Sequence, residues 1–321
     1  MLKTDRRTWL GGMGAAGAMA LIGGCTSMAG GRTPFFTRIG KPIGIQTYAL
    51  GPEVADDLGG TFAMLASLGF GELELPSLYG RPAAEVRRLA DEAGLAIASL
   101  HVQAGPFPGR TDTLANDAQA LFDTAKVLGA PNVVIPMPAM PADFAPQQGE
   151  DFVAIMQRAF SSAGAEHWRV MAGRFNAYGA AARANGLRLG YHNHNLEFAP
   201  VGDTTGWDIL MDETDPDLVK VELDIGWVQQ AGLDPLTELT KLGSRVIALH
   251  VKDVAAGYTP SYYFAPNPTE VGSGVVDWAR ILPAAQAAGV DHYFVEQEPP
   301  FTMPRPDAAA KSIAFLQSFT G

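Results

Sequence analysis

The chain reads as a single (β/α)8 barrel behind an N-terminal signal segment, and three observations predict it. Strand-like and helix-like stretches alternate from about residue 41 to the end, the pattern of βα units in a parallel sheet. The strand-like stretches number eight, enough to close a barrel. Seven of the eight carry polar residues at or near the C-terminal end, where such barrels carry their chemistry.

The elements follow in chain order. Asp5-Arg6-Arg7-Thr8-Trp9-Leu10 precedes a Gly/Ala-rich run, so residues 1–25 read as a targeting segment of the twin-arginine type and are set apart from the fold. The apolar run 10–24 is shorter than the roughly 20 residues a spanning helix needs. Ile22-Gly23-Gly24-Cys25 resembles a lipobox, which makes Cys25 a candidate lipid anchor. Localisation is then periplasmic, either free or anchored facing the periplasm. Cys25 is the sole cysteine, so no disulfide forms within the chain. Residues 26–40 read as linker and 41–321 as the barrel. Strands are expected over 43–48, 72–75, 96–101, 132–137, 187–192, 219–224, 246–252 and 293–298. Helical patterns lie over 81–93, 113–128, 152–184, 235–242, 278–288 and 308–319, with glycines such as Gly94, Gly186 and Gly289 placed as C-caps. Two connections are long, 138–149 and the aromatic-rich 254–274, and the second reads as a lid over the barrel mouth.

Composition narrows the partners. With 47% hydrophobic and 18% charged residues in 321, the chain can bury a full core, and no second domain is required. Its net charge is −11, and removing residues 1–24, which carry a net +2, takes it to −13. Nucleic acid is excluded as a partner on that balance. Neither a Gly-x-Ser-x-Gly elbow nor a Walker loop occurs. The oligomeric state is not legible.

The strand ends carry Gln46, Glu72 and Glu74, His101 and Gln103, His192 and His194, Glu222 and Asp224, His250 and Lys252, and Glu296 and Glu298. On a strand, residues two apart share a face, so His192 and His194 point the same way. Carboxylates and imidazoles turned inward without partners cost several kcal/mol, so the ring needs a cation, a substrate or mutual pairing. A divalent metal satisfies it most economically. Trp207, Trp227 and Trp278 read as core, His167 and His292 as surface or capping residues. The turn Val271-Gly272-Ser273-Gly274-Val275 could bind an anion, but it more simply shapes the lid's return.

Four motifs carry a resemblance: Tyr191-His192-Asn193-His194, Glu222-Leu223-Asp224-Ile225-Gly226-Trp227-Val228, His250-Val251-Lys252-Asp253, and Val271-Gly272-Ser273-Gly274-Val275-Val276-Asp277-Trp278. From residue 43 to about 319 the chain resembles the xylose-isomerase-like barrel superfamily, in particular its exported sugar phosphate isomerase/epimerase branch. The resemblance implies one metal ion held by His192, Asp224, His250 and Glu296, from strands five to eight. One position departs: the strand-five ligand is usually a glutamate, and here it is His192, with Asn193 or His194 as alternatives should the register shift by one. Two imidazoles with two carboxylates suit Mn, Co, Zn or Fe better than Mg. The resemblance also brings in DNA-cutting barrels, which a charge of −13 disfavours.

The expected reaction is that of a metal-dependent isomerase or epimerase acting on an unphosphorylated sugar or keto-sugar through an enediolate. Glu296 or His192 moves the proton, and Lys252 places positive charge near the developing oxyanion. Glu74, His101, His194 and Glu222 are candidate substrate contacts, and Glu222 has the alternative of pairing with Lys220 or His194. The missing strand-five glutamate makes a symmetric two-glutamate epimerase doubtful, so the runner-up is a lyase or dehydratase, or an enzyme cleaving keto-glycosides. A non-catalytic exported sugar-binding barrel is the rival from another class. No Arg/Lys cluster stands at the ends of strands seven and eight to hold a phosphate, so the substrate is expected to lack one.

Overall fold

Eight parallel strands close the barrel: β1 Gly44–Gln46, β2 Glu72–Leu75, β3 Ala96–His101, β4 Asn132–Ile135, β5 Arg188–His192, β6 Val219–Asp224, β7 Val246–Val251 and β8 His292–Val295. They pair in the order β1-β8-β7-β6-β5-β4-β3-β2, so each strand lies beside its sequence neighbours and the last meets the first. The computed structural model describes residues 32–105, 107 and 111–321, and the compact unit is Thr33–Gly321. The signal segment and the Cys25 lipobox lie outside the described residues. Among those residues, no helix is long and apolar enough to cross a membrane.

The strands alternate as their sequences require. On β5, Leu189 and Tyr191 face outward, and Tyr191 packs its ring 5.1 Å from Phe175 of the helix Ala165–Ala184. Gly190 and His192 share the opposite parity, toward the barrel axis. Apolar packing lies mainly between strands and helices, whereas the interior holds only a small apolar plug of Ala98, Ala248 and Phe294. Gly44 makes room for it, since a Cβ there would stand 2.5 Å from Phe294 Cδ1. At the lower end His292, expected at the surface, is part-buried, with Nδ1 3.0 Å from Glu72 Oε2. His167 is half-buried against Phe160 and Trp168.

Several boundaries differ from expectation for identifiable reasons. The single helix expected over 152–184 is two, Phe152–Ser161 and Ala165–Ala184. Ser162 bonds its hydroxyl back to Arg158 and Ala159, and Gly164 is extended, so the helix cannot continue through them. A short helix, Phe35–Ile39, falls in the segment read as linker. Its Phe35 and Phe36 are buried, with Phe36 edge-on to Tyr293 at 5.3 Å. The helices Leu58–Leu68, Gly206–Glu213 and Ile225–Gln230 were not expected, because glycines or short length hid their periodicity.

Candidate active site

The site is built at the C-terminal ends of the strands. Register sets His192 beside Glu222 and Asp224 beside His250, so the two imidazoles and two carboxylates of β5, β6 and β7 form one patch. Asp224 is also an N-cap. Its Oδ1 accepts from Trp227 N at 2.7 Å, starting the helix Ile225–Gln230. That leaves Oδ2 facing Lys252 Nζ at 2.8 Å, His250 Nδ1 at 3.6 Å and His192 Nε2 at 3.9 Å. Glu296, just past β8, puts Oε2 3.1 Å from His250 Nδ1 and 2.6 Å from Lys252 Nζ.

Asn193 is fully engaged elsewhere: its Oδ1 accepts from Asp224 N at 2.9 Å, and its Nδ2 donates to the Asp224 carbonyl. It fastens β6 to β5, which leaves His192 as the inward group at the strand end. His194 sits beyond β5 with its ring 4.7 Å from that of His192, between Trp227 and Phe264. Glu74 and Glu222 occupy a deeper layer. Both are fully buried, in contact with His101 and His250, and neither lines the cavity above.

Electrostatics divide the ring. Burial alone would raise the carboxyls of Glu222, Asp224 and Glu296, but the charges of His250 and Lys252 outweigh it and hold them below the usual range. Glu298 goes the other way, pushed up to about 7 by burial, with the Lys252 ammonium only partly offsetting. His192 and His194 are lowered, chiefly by burial and then by neighbouring positive charge, so both are neutral. Burial would lower His101 and His250 too, yet the carboxylates around them prevail, and His101 stands at about 9. Lys252 lies among Asp224, Glu296 and Glu298, with its ammonium 5.0 Å from the Trp227 ring.

Above the ring lies a cavity of about 240 Å³ whose polar wall is Gln46, His101, Gln103, His192, His194, Glu296 and Glu298. Its apolar rim includes Phe107 and Phe264 from two separate loops and Phe152 from the first turn of the helix Phe152–Ser161, with Phe152 5.4 Å from Phe264. Phe264 belongs to the long connection after β7 and packs on His194 and Trp227, so that connection does cover the site. A larger hollow of about 460 Å³ lies beyond Phe264 and holds none of the ionisable ring, so the smaller cavity is where chemistry can take place. The base of the lid is fastened by Asp253, whose carboxylate accepts from the backbone N–H groups of Val254, Gly272, Gly274 and Val276 and from Trp278 Nε1. The glycine-rich turn therefore already holds an anion, the chain's own.

The residues fit a divalent cation. Ligand atoms of His192, Asp224 and His250 lie within 4.8 Å of one another, with Glu296 adjoining at His250. Asp224 Oδ2 is buried with the Lys252 ammonium 2.8 Å away but no well-aligned hydrogen bond, and Glu74 Oε1 and Glu222 Oε2 below it have no hydrogen-bond partner. Gln46, Gln103 and Glu298, members of the polar ring without an individual role in the sequence reading, line the site, and Tyr48 and the three phenylalanines join them. For Glu298 and the glutamines, position at a strand end was the available signal. Phe264 had only the aromatic content of its connection, and Phe107 and Phe152 carried no signal of their own.

Comparison with known proteins fits this geometry. Residues 53–319 match the model of the xylose isomerase-like TIM barrel family. An inosose dehydratase of Geobacillus thermodenitrificans is 26% identical over 260 residues, covering 75% of this chain and 82% of that protein. A crystal structure of a sugar phosphate isomerase/epimerase from Parabacteroides distasonis superposes with a TM-score of 0.67 at 24% identity, over 91% of this chain and 96% of that one. A xylose isomerase-like barrel from Mycobacterium smegmatis in complex with magnesium gives 0.60 at 18%, over 87% and 97%. These structures share the fold. The family match over most of the chain, on a closed eight-stranded barrel, shows that this protein belongs to the xylose isomerase-like TIM barrel family.

Proposed function

We propose that this chain is a metal-dependent dehydratase of an unphosphorylated keto-sugar or keto-polyol, removing a proton beside the carbonyl and expelling a hydroxyl from the next carbon. The observation that carries this is where the cavity's carboxylates come from: Glu296 and Glu298 both follow β8, and the β5 side offers the imidazoles of His192 and His194. Epimerisation by two glutamates needs a carboxylate on each face of the reacting carbon. One carboxylate suffices where the proton leaves and returns on the same face.

His192, Asp224, His250 and Glu296 would hold the ion, and the ion supplies polarisation of the substrate carbonyl, which acidifies the neighbouring C–H. Lys252, 2.6 Å from Glu296 Oε2, keeps that carboxylate ionised and ready to take the proton. The C–H electron pair moves reversibly toward the carbonyl, so Glu296 can return a proton or a solvent-derived deuteron to the same carbon, and it then forms the new double bond as the adjacent C–O bond breaks. Glu296 then hands its proton to the departing hydroxyl, and water leaves with no other reactant consumed. Gln46, Gln103, His101 and His194 line the cavity where substrate hydroxyls would be oriented. Lys252 is the ring's one lysine and is committed to three carboxylates, so nothing there favours a phosphate. The mixed nitrogen and oxygen donors favour Mn, Co, Zn or Fe over Mg.

This order reverses the one expected from sequence, where isomerisation led. The similarity to an inosose dehydratase over most of that protein's length supports the change. Isomerisation stays the second reading, because a single base can also return the proton to the adjacent carbon. The test is incubation of metal-loaded protein with inososes and unphosphorylated ketoses, followed by mass spectrometry. A product lighter by one water is expected. A rearranged product of unchanged mass would establish the isomerase, and binding without turnover would leave a sugar-binding barrel.

A further inference from the structure

Each histidine of the metal set presents one ring nitrogen to the ligand patch and the other to a buried carboxylate. His250 turns Nδ1 toward Glu296 Oε2 and Asp224 Oδ2, at 3.1 and 3.6 Å, while Nε2 lies 2.6 Å from Glu74 Oε2 and 3.0 Å from Glu222 Oε1. His192 turns Nε2 toward Asp224 and keeps Nδ1 3.2 Å from Glu222 Oε1. Beneath them His101 Nε2 joins the two carboxylates, 3.1 Å from Glu74 Oε2 and 3.3 Å from Glu222 Oε1, and the Gln46 amide donates to Glu74 at 3.2 Å.

We infer that Glu74 and Glu222 are positioning residues which fix the ring nitrogens offered to the metal, Nδ1 of His250 and Nε2 of His192, with His101 tying the pair together. The inference rests on the metal site of the proposed function and changes the role that sequence suggested for both glutamates. Neither carboxylate reaches the cavity wall, so neither can bind a sugar hydroxyl directly. A neutral imidazole bound to a metal through one nitrogen must donate its remaining N–H, and a buried carboxylate is the strongest acceptor for it. Held this way, the rings cannot flip, and their basicity toward the ion rises. Ligand atoms of Glu74, His101, Glu222 and His250 also lie within 4.8 Å of one another, which raises the alternative that they take an ion themselves. That would strip the proton from His250 Nε2 and remove the support from the ring above.

The test measures metal binding without substrate. Metal-free full-length protein is titrated with Zn²⁺ against a competing chelator, and the histidine side chains of the zinc-loaded protein are observed by ¹⁵N NMR. One ion per chain is expected, with protons on His250 Nε2 and His192 Nδ1. Glu74→Gln and Glu222→Gln should each weaken Zn²⁺ binding by about 10- to 100-fold, with the inosose Km little changed where turnover persists. Two ions per wild-type chain, the opposite tautomers, or unchanged affinity in both variants would overturn the inference. Where a variant fails to fold, the wild-type spectrum decides alone. Wild-type protein that binds no ion would overturn the proposed metal dependence as well, whereas tight binding indifferent to both glutamates would overturn this inference only.

Discussion

Replacing Lys252 by methionine probes the electrostatic balance of the site most sharply. The ammonium is buried, 2.6 to 3.0 Å from oxygens of Asp224, Glu296 and Glu298. Methionine keeps much of the stem's packing against Trp227 and Gly226 but removes the charge. Three carboxylates are then left facing one another where water is scarce, and breaking a buried pair in this way costs about 3–5 kcal/mol. That is a large share of the roughly 5–15 kcal/mol that holds a domain folded. At the few degrees per kcal/mol of a chain this size, the metal-free variant should melt on the order of 10 °C below wild type. A divalent ion among the same carboxylates restores the missing charge, so saturating metal should narrow the gap. Thermal unfolding followed by circular dichroism, with and without Mn²⁺ or Zn²⁺, reads both effects. A metal-free variant as stable as wild type, or a gap that metal leaves unchanged, would refute the reasoning.

Three further outcomes follow from the geometry. A Cβ on Gly226 would stand 2.6 Å from Lys252 Cγ, so Gly226→Ala should destabilise the wild type, and most of that cost should vanish in a Lys252→Ala background; equal costs in both backgrounds would disprove the contact. Asp253→Ala strands four backbone N–H groups and the Trp278 indole, each costing about 1–3 kcal/mol where it stays buried, so hydrogen exchange at Gly272, Gly274 and Val276 should accelerate; unchanged protection would contradict the role given to Asp253. Burial lifts the Glu197 carboxyl to about 7 despite bonds from Tyr191 and the His194 N–H, so its contribution is fully present below pH 4.5 and lost as pH rises toward 7. Urea unfolding across that window should show Glu197→Gln with a flatter pH dependence than wild type, by on the order of 3 kcal/mol over the range; identical slopes would rule this out.

The barrel was legible because its strands obey a period of two and all but the fourth carry polar residues at or near their ends, and β2, β3 and β6 run as expected, at Glu72–Leu75, Ala96–His101 and Val219–Asp224. Parity set out a wider polar ring; the resemblance to the barrel superfamily implied His192, Asp224, His250 and Glu296 within it as the metal set, and the structure brings those four together. Parity gives the face of a strand but not the depth along the barrel axis. Glu74 therefore looked like a wall residue, and Glu222 like a substrate contact or a partner of Lys220 or His194, when the two form a floor against His101 and His250. Side-chain reach across loops was equally hidden. Nothing local says that Phe264 lands on His194, or that Asp253 gathers N–H groups from Gly272 to Trp278, 19 to 25 residues ahead. Small-residue helices such as Leu58–Leu68, with Gly59 and Gly60 in the first turn, offer an apolar stripe too weak to mark them in the sequence.

Deuterium exchange tests the central claim most directly. Metal-loaded protein incubated in D₂O with an inosose or an unphosphorylated ketose should place deuterium at the carbon beside the carbonyl, or in the product derived from it. Glu296→Gln should slow the exchange by about 10²–10⁴. Because Glu296 is also a proposed ligand, the comparison is made at metal content matched by elemental analysis. Deuterium uptake that depends on Glu296 at equal metal loading is the expected result. No uptake from any substrate by fully loaded wild type, or uptake undiminished in the variant, would contradict proton removal by this residue.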